Sequence, residues 1–66
     1  MTLFADIMLD AGEDRPPDFV LDHAELCARN EMRERGLTPV ARSEEILEIE
    51  IDGRKHRLFV LRWETE

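Results

Sequence analysis

Residues 44–63, EEILEIEIDGRKHRLFVLRW, decide how this chain folds. Two β-rich runs flank Asp52-Gly53, the dipeptide favoured by a two-residue type I′ turn, whose central residues both need positive φ. Pairing Ile51 with Arg54 sets Glu50 opposite Lys55, Glu48 opposite Arg57, Leu47 opposite Leu58 and Ile46 opposite Phe59. Opposite charges meet and apolar groups meet, each such pair adding roughly 0.2–1 kcal/mol. A three-residue turn with a bulge would instead place Leu47 against Arg57, so the tight turn is expected. Leu47, Ile49, Ile51, Leu58 and Val60 share one face, expected to be the core face. Ile46, Phe59, Leu61 and Trp63 lie on the other, near the open end. One short helix cannot cover both, so the second patch is left for partial covering or for a partner.

Upstream, residues 18–35 have a helical composition, rich in Ala, Leu, Glu, Arg and Met. Asp18 is a candidate N-cap, and Asp22 with Glu25 offers a capping box four residues further on. Leu21, Ala24, Ala28 and Met32 form an apolar row, with Val20 and Cys27 beside it. Arg33 and Arg35 suit the negative helix end, Gly36-Leu37 suits a Schellman stop, and Thr38-Pro39 blocks continuation. The segment GEDRPP, 12–17, is a loop, because consecutive prolines exclude a helix through it. Residues 2–11, TLFADIMLDA, are expected to be a short helix carrying Leu3, Phe4, Ile7, Met8 and Ala11 on one side, Thr2 at its start and Gly12 after its end. A strand reading competes: it aligns Leu3, Ala5, Ile7 and Leu9 but leaves Phe4 and Met8 exposed. Residues 40–43 link into the hairpin and add a candidate edge segment. The expectation is one α+β domain over 1–66, with short N-terminal helices (2–11 and 18–35) packed on a C-terminal antiparallel hairpin or small sheet (44–63).

A chain of 66 residues buries only about 60 % of the surface its unfolded form exposes, so its stability margin is thin. Its single cysteine, Cys27, cannot form an intramolecular disulfide, which points to a reducing compartment. No apolar run reaches the ~20 residues of a membrane span, and the first residues lack a basic start followed by an apolar core. A cytoplasmic protein with no membrane association is expected. Sixteen acidic against nine basic residues leave a net charge of −7. A phosphate backbone would repel such a surface, so direct nucleic-acid binding is not expected.

Catalytic or metal chemistry finds little support. His23 and Cys27 are four apart and share a helix face; with His56 and a carboxylate they are a candidate zinc set, but one cysteine and two distant histidines make a sparse one. Cys27 packing as a small apolar group is the simpler account. Ser43 and Cys27 lack any context that would activate a nucleophile. The three glycines each suit a turn or cap rather than a phosphate loop. Paired carboxylates need a pocket that separates their pKa values, and a domain this small has little volume for one. Neither an enzyme nor a cofactor is expected. Phe59 and Trp63 with Arg57 and Arg62 suggest a base-stacking sheet face, yet Glu48, Glu50, Glu64 and Glu66 stand around them, and packing is the better role.

The acidic residues are distributed unevenly. Asp6, Asp10, Glu13, Asp14, Asp18, Asp22 and Glu25 face a single base, Arg15, in the first 25 residues; thereafter nine acids balance eight bases. Five aspartates, from Asp6 to Asp22, recur at every fourth position. Helical residues four apart lie about 6 Å from each other, close to the spacing of phosphates along a strand. Pro16-Pro17 divides them into two short rows joined by an acidic loop. A solvated surface accounts for Asp18 and Asp22 at a helix start. A docking surface for a basic partner accounts for the missing bases, and both readings stand on the sequence.

A short, strongly acidic chain without a catalytic motif resembles the small phage-encoded anti-CRISPR proteins that imitate DNA. The resemblance is carried by TLFADIMLDAGEDRPPDFVLDHAE (2–25) for acidity and EEILEIEIDGRKHRLFVLRW (44–63) for the hairpin, and in overall plan it extends to inhibitors of type I-C systems. It implies a monomer in a bacterial host that occupies a basic DNA-entry surface of a type I Cascade effector. There the carboxylates of Asp6, Asp10, Glu13, Asp14, Asp18, Asp22 and Glu25 would stand in for phosphates. The competing expectation is a non-catalytic interaction module, antitoxin-like or homodimeric, binding through the apolar hairpin face of Ile46, Phe59, Leu61 and Trp63.

Overall fold

In the computed structural model, which describes residues 1–66, the chain runs β1 (Thr2–Leu9), α1 (Asp18–Arg35), β2 (Pro39–Ile51) and β3 (Arg54–Thr65). The strands form one antiparallel sheet in the order β1-β3-β2, and the helix lies on one face of it. This order corrects the expected architecture. There is no N-terminal helix, and the single helix sits between the first strand and a hairpin.

Residues 2–9 become a strand because β3 offers them a full ladder. Leu3, Ala5, Ile7 and Leu9 pair with Trp63, Leu61, Phe59 and Arg57. The start of the chain is laced to its end: the Thr65 amide donates to the Met1 carbonyl at 2.9 Å, and the Met1 amino group donates to the Thr65 carbonyl at 3.1 Å. A helix over the same residues would leave the outer edge of β3 unpaired. Long-range pairing therefore overrides a local pattern that fits either period.

The hairpin has the register read from its charges: Ile51 opposite Arg54, Glu50 opposite Lys55, Glu48 opposite Arg57 and Leu47 opposite Leu58. Asp52 (φ 51°) and Gly53 (φ 76°) supply the two left-handed residues of the turn. Both strands run beyond the expected 44–63, and a register shift between Pro39 and Ala41 marks the start of β2.

Helix α1 begins on Pro17, not on a side-chain cap. The Pro17 carbonyl accepts from the Val20 amide at 3.0 Å and the Leu21 amide at 3.2 Å, and Asp18 lies in the first turn. Asp22 and Glu25 fall inside the helix, so they form no capping box. Gly36 ends the helix in the left-handed region, and the Leu37 amide donates to the Met32 carbonyl at 2.8 Å, the Schellman pattern.

The core assigns the two hairpin faces opposite to expectation. Leu21, Ala28 and Met32 of the helix pack with Leu9, Phe59, Leu61 and Trp63, and Leu3, Ala5, Ile7, Ala24 and Leu37 close around them. The physical reason is β1, whose inward residues widen the Phe59–Leu61–Trp63 face until the helix stripe fits across it. Below the sheet's midpoint the 12–17 loop completes the cover: Pro16 is buried, Arg15 stacks over the Phe59 ring at 5.5 Å, and Arg57 pairs with Asp14 at 3.2 Å. An 18-residue helix is about 27 Å long, whereas 13-residue β2 spans about 43 Å. The hairpin tip therefore projects past the helix, and the molecule is 41 × 22 × 17 Å.

Candidate functional site

Side chains alternate along a strand, so the helix-facing residues dictate what the other face carries. On that open face the cross-strand rows are Phe4–Arg62–Ser43, Asp6–Val60–Glu45 and Met8–Leu58–Leu47, followed towards the tip by His56–Ile49 and Arg54–Ile51. An antiparallel sheet with one solvated face ordinarily alternates apolar-in, polar-out. Here seven of the outward residues are large and apolar. Phe4 is 62 % exposed, Met8 47 %, Ile51 43 % and Leu47 41 %, while Val60 is sealed among its neighbours.

The polar groups on this face are few and partly committed. Arg62 lies over the Phe4 ring at 6.0 Å and pairs with Glu64. Glu64 also accepts from the Thr2 hydroxyl at 2.9 Å. That hydrogen bond first, then Arg62, lowers the Glu64 pKa from its ordinary value. Asp6 and Glu45 flank Val60 on either side and make no ion pair. A shallow hollow lined by Asp6, Glu45, Leu47, Leu58, Val60 and Arg62 lies between them.

A second cluster sits on the helix side, where β2 outflanks the helix. Glu44 accepts from Arg15 at 2.7 Å and from Arg42 at 2.9 Å. Arg42 also binds Glu25, whose other oxygen accepts from the Trp63 indole N–H at 3.2 Å. Arg15 first, then Arg42, holds the Glu44 pKa below its usual value, and Glu44 raises that of Arg15. Burial works against the charge of Arg42, but its hydrogen bonds to Glu44 and Glu25 outweigh it and raise the pKa. Every partner in this chain of contacts is occupied, which makes it a clamp between helix, loop and sheet.

The seven candidate acids do not gather into one surface. Asp6 points from β1 to the open face, while Glu25 points from the helix to the opposite side of the sheet and is held by Arg42 and Trp63. Asp14 is held by Arg57. Glu13 accepts from the Asp10 amide at 2.8 Å and closes a turn. Asp10, Asp18 and Asp22, at the end of β1 and on the first turns of the helix, make no ion pair. The every-fourth-residue spacing is helical only for Asp18 and Asp22, because Asp6 belongs to a strand and Asp10 follows it.

Phe59 and Trp63 are buried under the helix, as the packing role expected of them requires, and Arg62 points the other way, so no base-stacking face forms. Nor do Ile46, Phe59, Leu61 and Trp63 form a free patch; only Ile46 is exposed. His23 and Cys27 do meet, Nε2 to Sγ at 3.5 Å, but His56 lies on the far side of the sheet. No three His, Cys, Asp or Glu side chains are placed to share a metal ion, and no helix is long and apolar enough to cross a membrane. Sequence reasoning missed the whole open face: Leu47, Ile49, Ile51, Leu58 and Val60 were expected in the core, and Phe4 and Met8 on a helix. The signal for Phe4 and Met8 is present in TLFADIML, which is apolar on both sides of a strand. Compared with known proteins, the chain matches no family model, no curated protein and no solved structure.

Proposed function

We propose that this chain is a small non-catalytic protein-binding module whose working surface is the open face of its sheet. The observation that carries this reading is the row of exposed apolar residues, Phe4, Met8, Leu47 and Ile51, around half-buried Ile49 and Leu58 and buried Val60, where an isolated sheet would present polar ones. Contiguous apolar surface on a small protein marks a contact site, and aromatic and long aliphatic side chains carry most of the energy in such contacts.

A second reading is favoured by Asp10, Asp18 and Asp22, which make no ion pair after β1 and in the first turns of the helix, and by the net charge of −7. In it the chain acts as an anti-CRISPR protein, setting carboxylates on the basic DNA-entry surface of a type I effector, of which type I-C is the narrower candidate, and so blocking target DNA. Binding would then be charge-steered and salt-sensitive. One experiment separates the two: capture of purified type I effector complexes, and of a bacterial lysate, on three immobilised proteins. These are the wild type, a Met8→Lys/Leu47→Lys variant, and an Asp10→Asn/Asp18→Asn/Asp22→Asn variant. The sheet-face reading expects salt-resistant capture lost only with the lysines. Effector capture lost only with the asparagines and at high salt would replace it with DNA mimicry.

A further inference from the structure

We infer that the occupant of the open sheet face is a second copy of this chain, packed face to face across a twofold axis; the inference rests on the sheet face being the working surface. Area is the first argument. A folded monomer of 7.8 kDa is expected to expose about 4,400 Å², whereas this chain exposes 4921 Å². Two copies hiding that surplus against each other remove on the order of 1,000 Å², the threshold of a specific interface.

Charge complementarity is the second argument, and it fixes the register. From the Val60 row to the Ile51 row the face is apolar apart from His56; the carboxylates Asp6 and Glu45 stand at one end, next to Arg62, whose partner is Glu64, and the cation Arg54 stands at the other. None of Asp6, Glu45 and Arg54 is in an ion pair. A twofold axis crossing the strands between the Leu58 and His56 rows sets Leu47 against the partner's Ile49 and Glu45 beside the partner's Ile51. It also lays the partner's Arg54 over Val60, between Asp6 and Glu45, and the symmetry repeats each contact. Packed sheets keep their strands within about 30° of alignment, which leaves the long Arg54 side chain within reach of both carboxylates. The alternative self-contact, antiparallel addition of two β2 edges centred on Ile46, would place Glu44 against the partner's Glu48. Like charges directly opposite destabilise such a ladder.

The test is sedimentation equilibrium of the full chain from micromolar to near-millimolar concentration, with circular-dichroism melts to show that each variant is folded. The wild type is expected to dimerise, Leu47→Lys to be monomeric, and Arg54→Glu to self-associate about tenfold or more weakly. Adding Glu45→Arg to Arg54→Glu should restore the dimer by exchanging the two charges across the axis. A folded wild type that stays monomeric throughout overturns the second copy as occupant and leaves the binding-module reading standing. A dimer indifferent to both Leu47→Lys and Arg54→Glu forms elsewhere, and it overturns the inference together with the assignment of the sheet face. Loss with Leu47→Lys but not with Arg54→Glu overturns the charge register.

Discussion

Trp63 shows how much one side chain can hold in a domain this small. Only 10 of 66 residues are buried, so each carries a large share of the core. The indole fills the space beneath the helix, and its N–H is satisfied by Glu25. Trp63→Ala is expected to cost about 3–5 kcal/mol, enough to leave the chain largely unfolded in a urea titration at room temperature. Glu25→Leu should cost more than Glu25→Gln, since the amide still offers the indole an acceptor and leucine leaves it unpaired. Glu44 sets the pH response of the same region. Its pKa is lowered in the folded state by Arg15 and Arg42, so its stabilising contribution is complete above the ordinary glutamate value of about 4.3. That contribution disappears as the pH falls through the lower folded value. Glu44→Gln should flatten the acid limb of a melting-temperature profile, lowering the melting temperature slightly at neutral pH, where the exposed pair is intact but weak, and leaving it unchanged below the folded Glu44 pKa.

At the scale of elements, local codes and long-range codes had different reach. The turn at Asp52-Gly53, the hairpin register and the helix with its Gly36 stop were legible because a few neighbouring residues determine each of them. Gly53 sits at φ 76°, and Gly53→Ala is expected to lower stability by about 1–2 kcal/mol, the cost of a Cβ in the left-handed region, as read by chemical denaturation. β1 was not legible in the same way. Leu3, Ile7 and Met8 satisfy a helical stripe, Leu3, Ala5, Ile7 and Leu9 satisfy a strand, and eight residues are too few for periodicity to arbitrate. The choice was made by β3, whose residues pair with β1 from Leu9–Arg57 to Thr2–Glu64, far along the chain, and which needed a second neighbour. Assigning β1 wrongly also inverted the hairpin faces, because it hid the residues that complete the Phe59–Leu61–Trp63 side.

At the scale of the whole molecule, the consequence is a sheet clothed on one side. The helix, the 12–17 loop and the Arg15–Glu44–Arg42–Glu25 clamp all lie on the same face, and nothing comparable covers Leu47, Leu58 and Val60. Substitutions on the open face should therefore separate stability from binding. At dilutions that keep the chain monomeric, Met8→Lys and Leu47→Lys are each expected to change the unfolding free energy by no more than about 0.5 kcal/mol. Binding of a hydrophobic dye to the folded monomer, at dilutions below dimerisation, should fall with each. A drop in stability comparable to that of Trp63→Ala would mean instead that these residues belong to the core.

By itself the sequence determined whatever depends on neighbours along the chain: the loop at Pro16-Pro17, the helix over 18–35, the two-residue turn, the charge-matched register and the net charge of −7. Only the tertiary structure decided that residues 2–9 extend the sheet, which hairpin face turns inward, and that the early carboxylates are dispersed. Asp6 shows why. Its place in the chain sets it four residues from Asp10, but which side of the protein it faces depends on the strand it pairs with and on where the helix lands. Both are properties of contacts between residues far apart in sequence, and no local pattern encodes them.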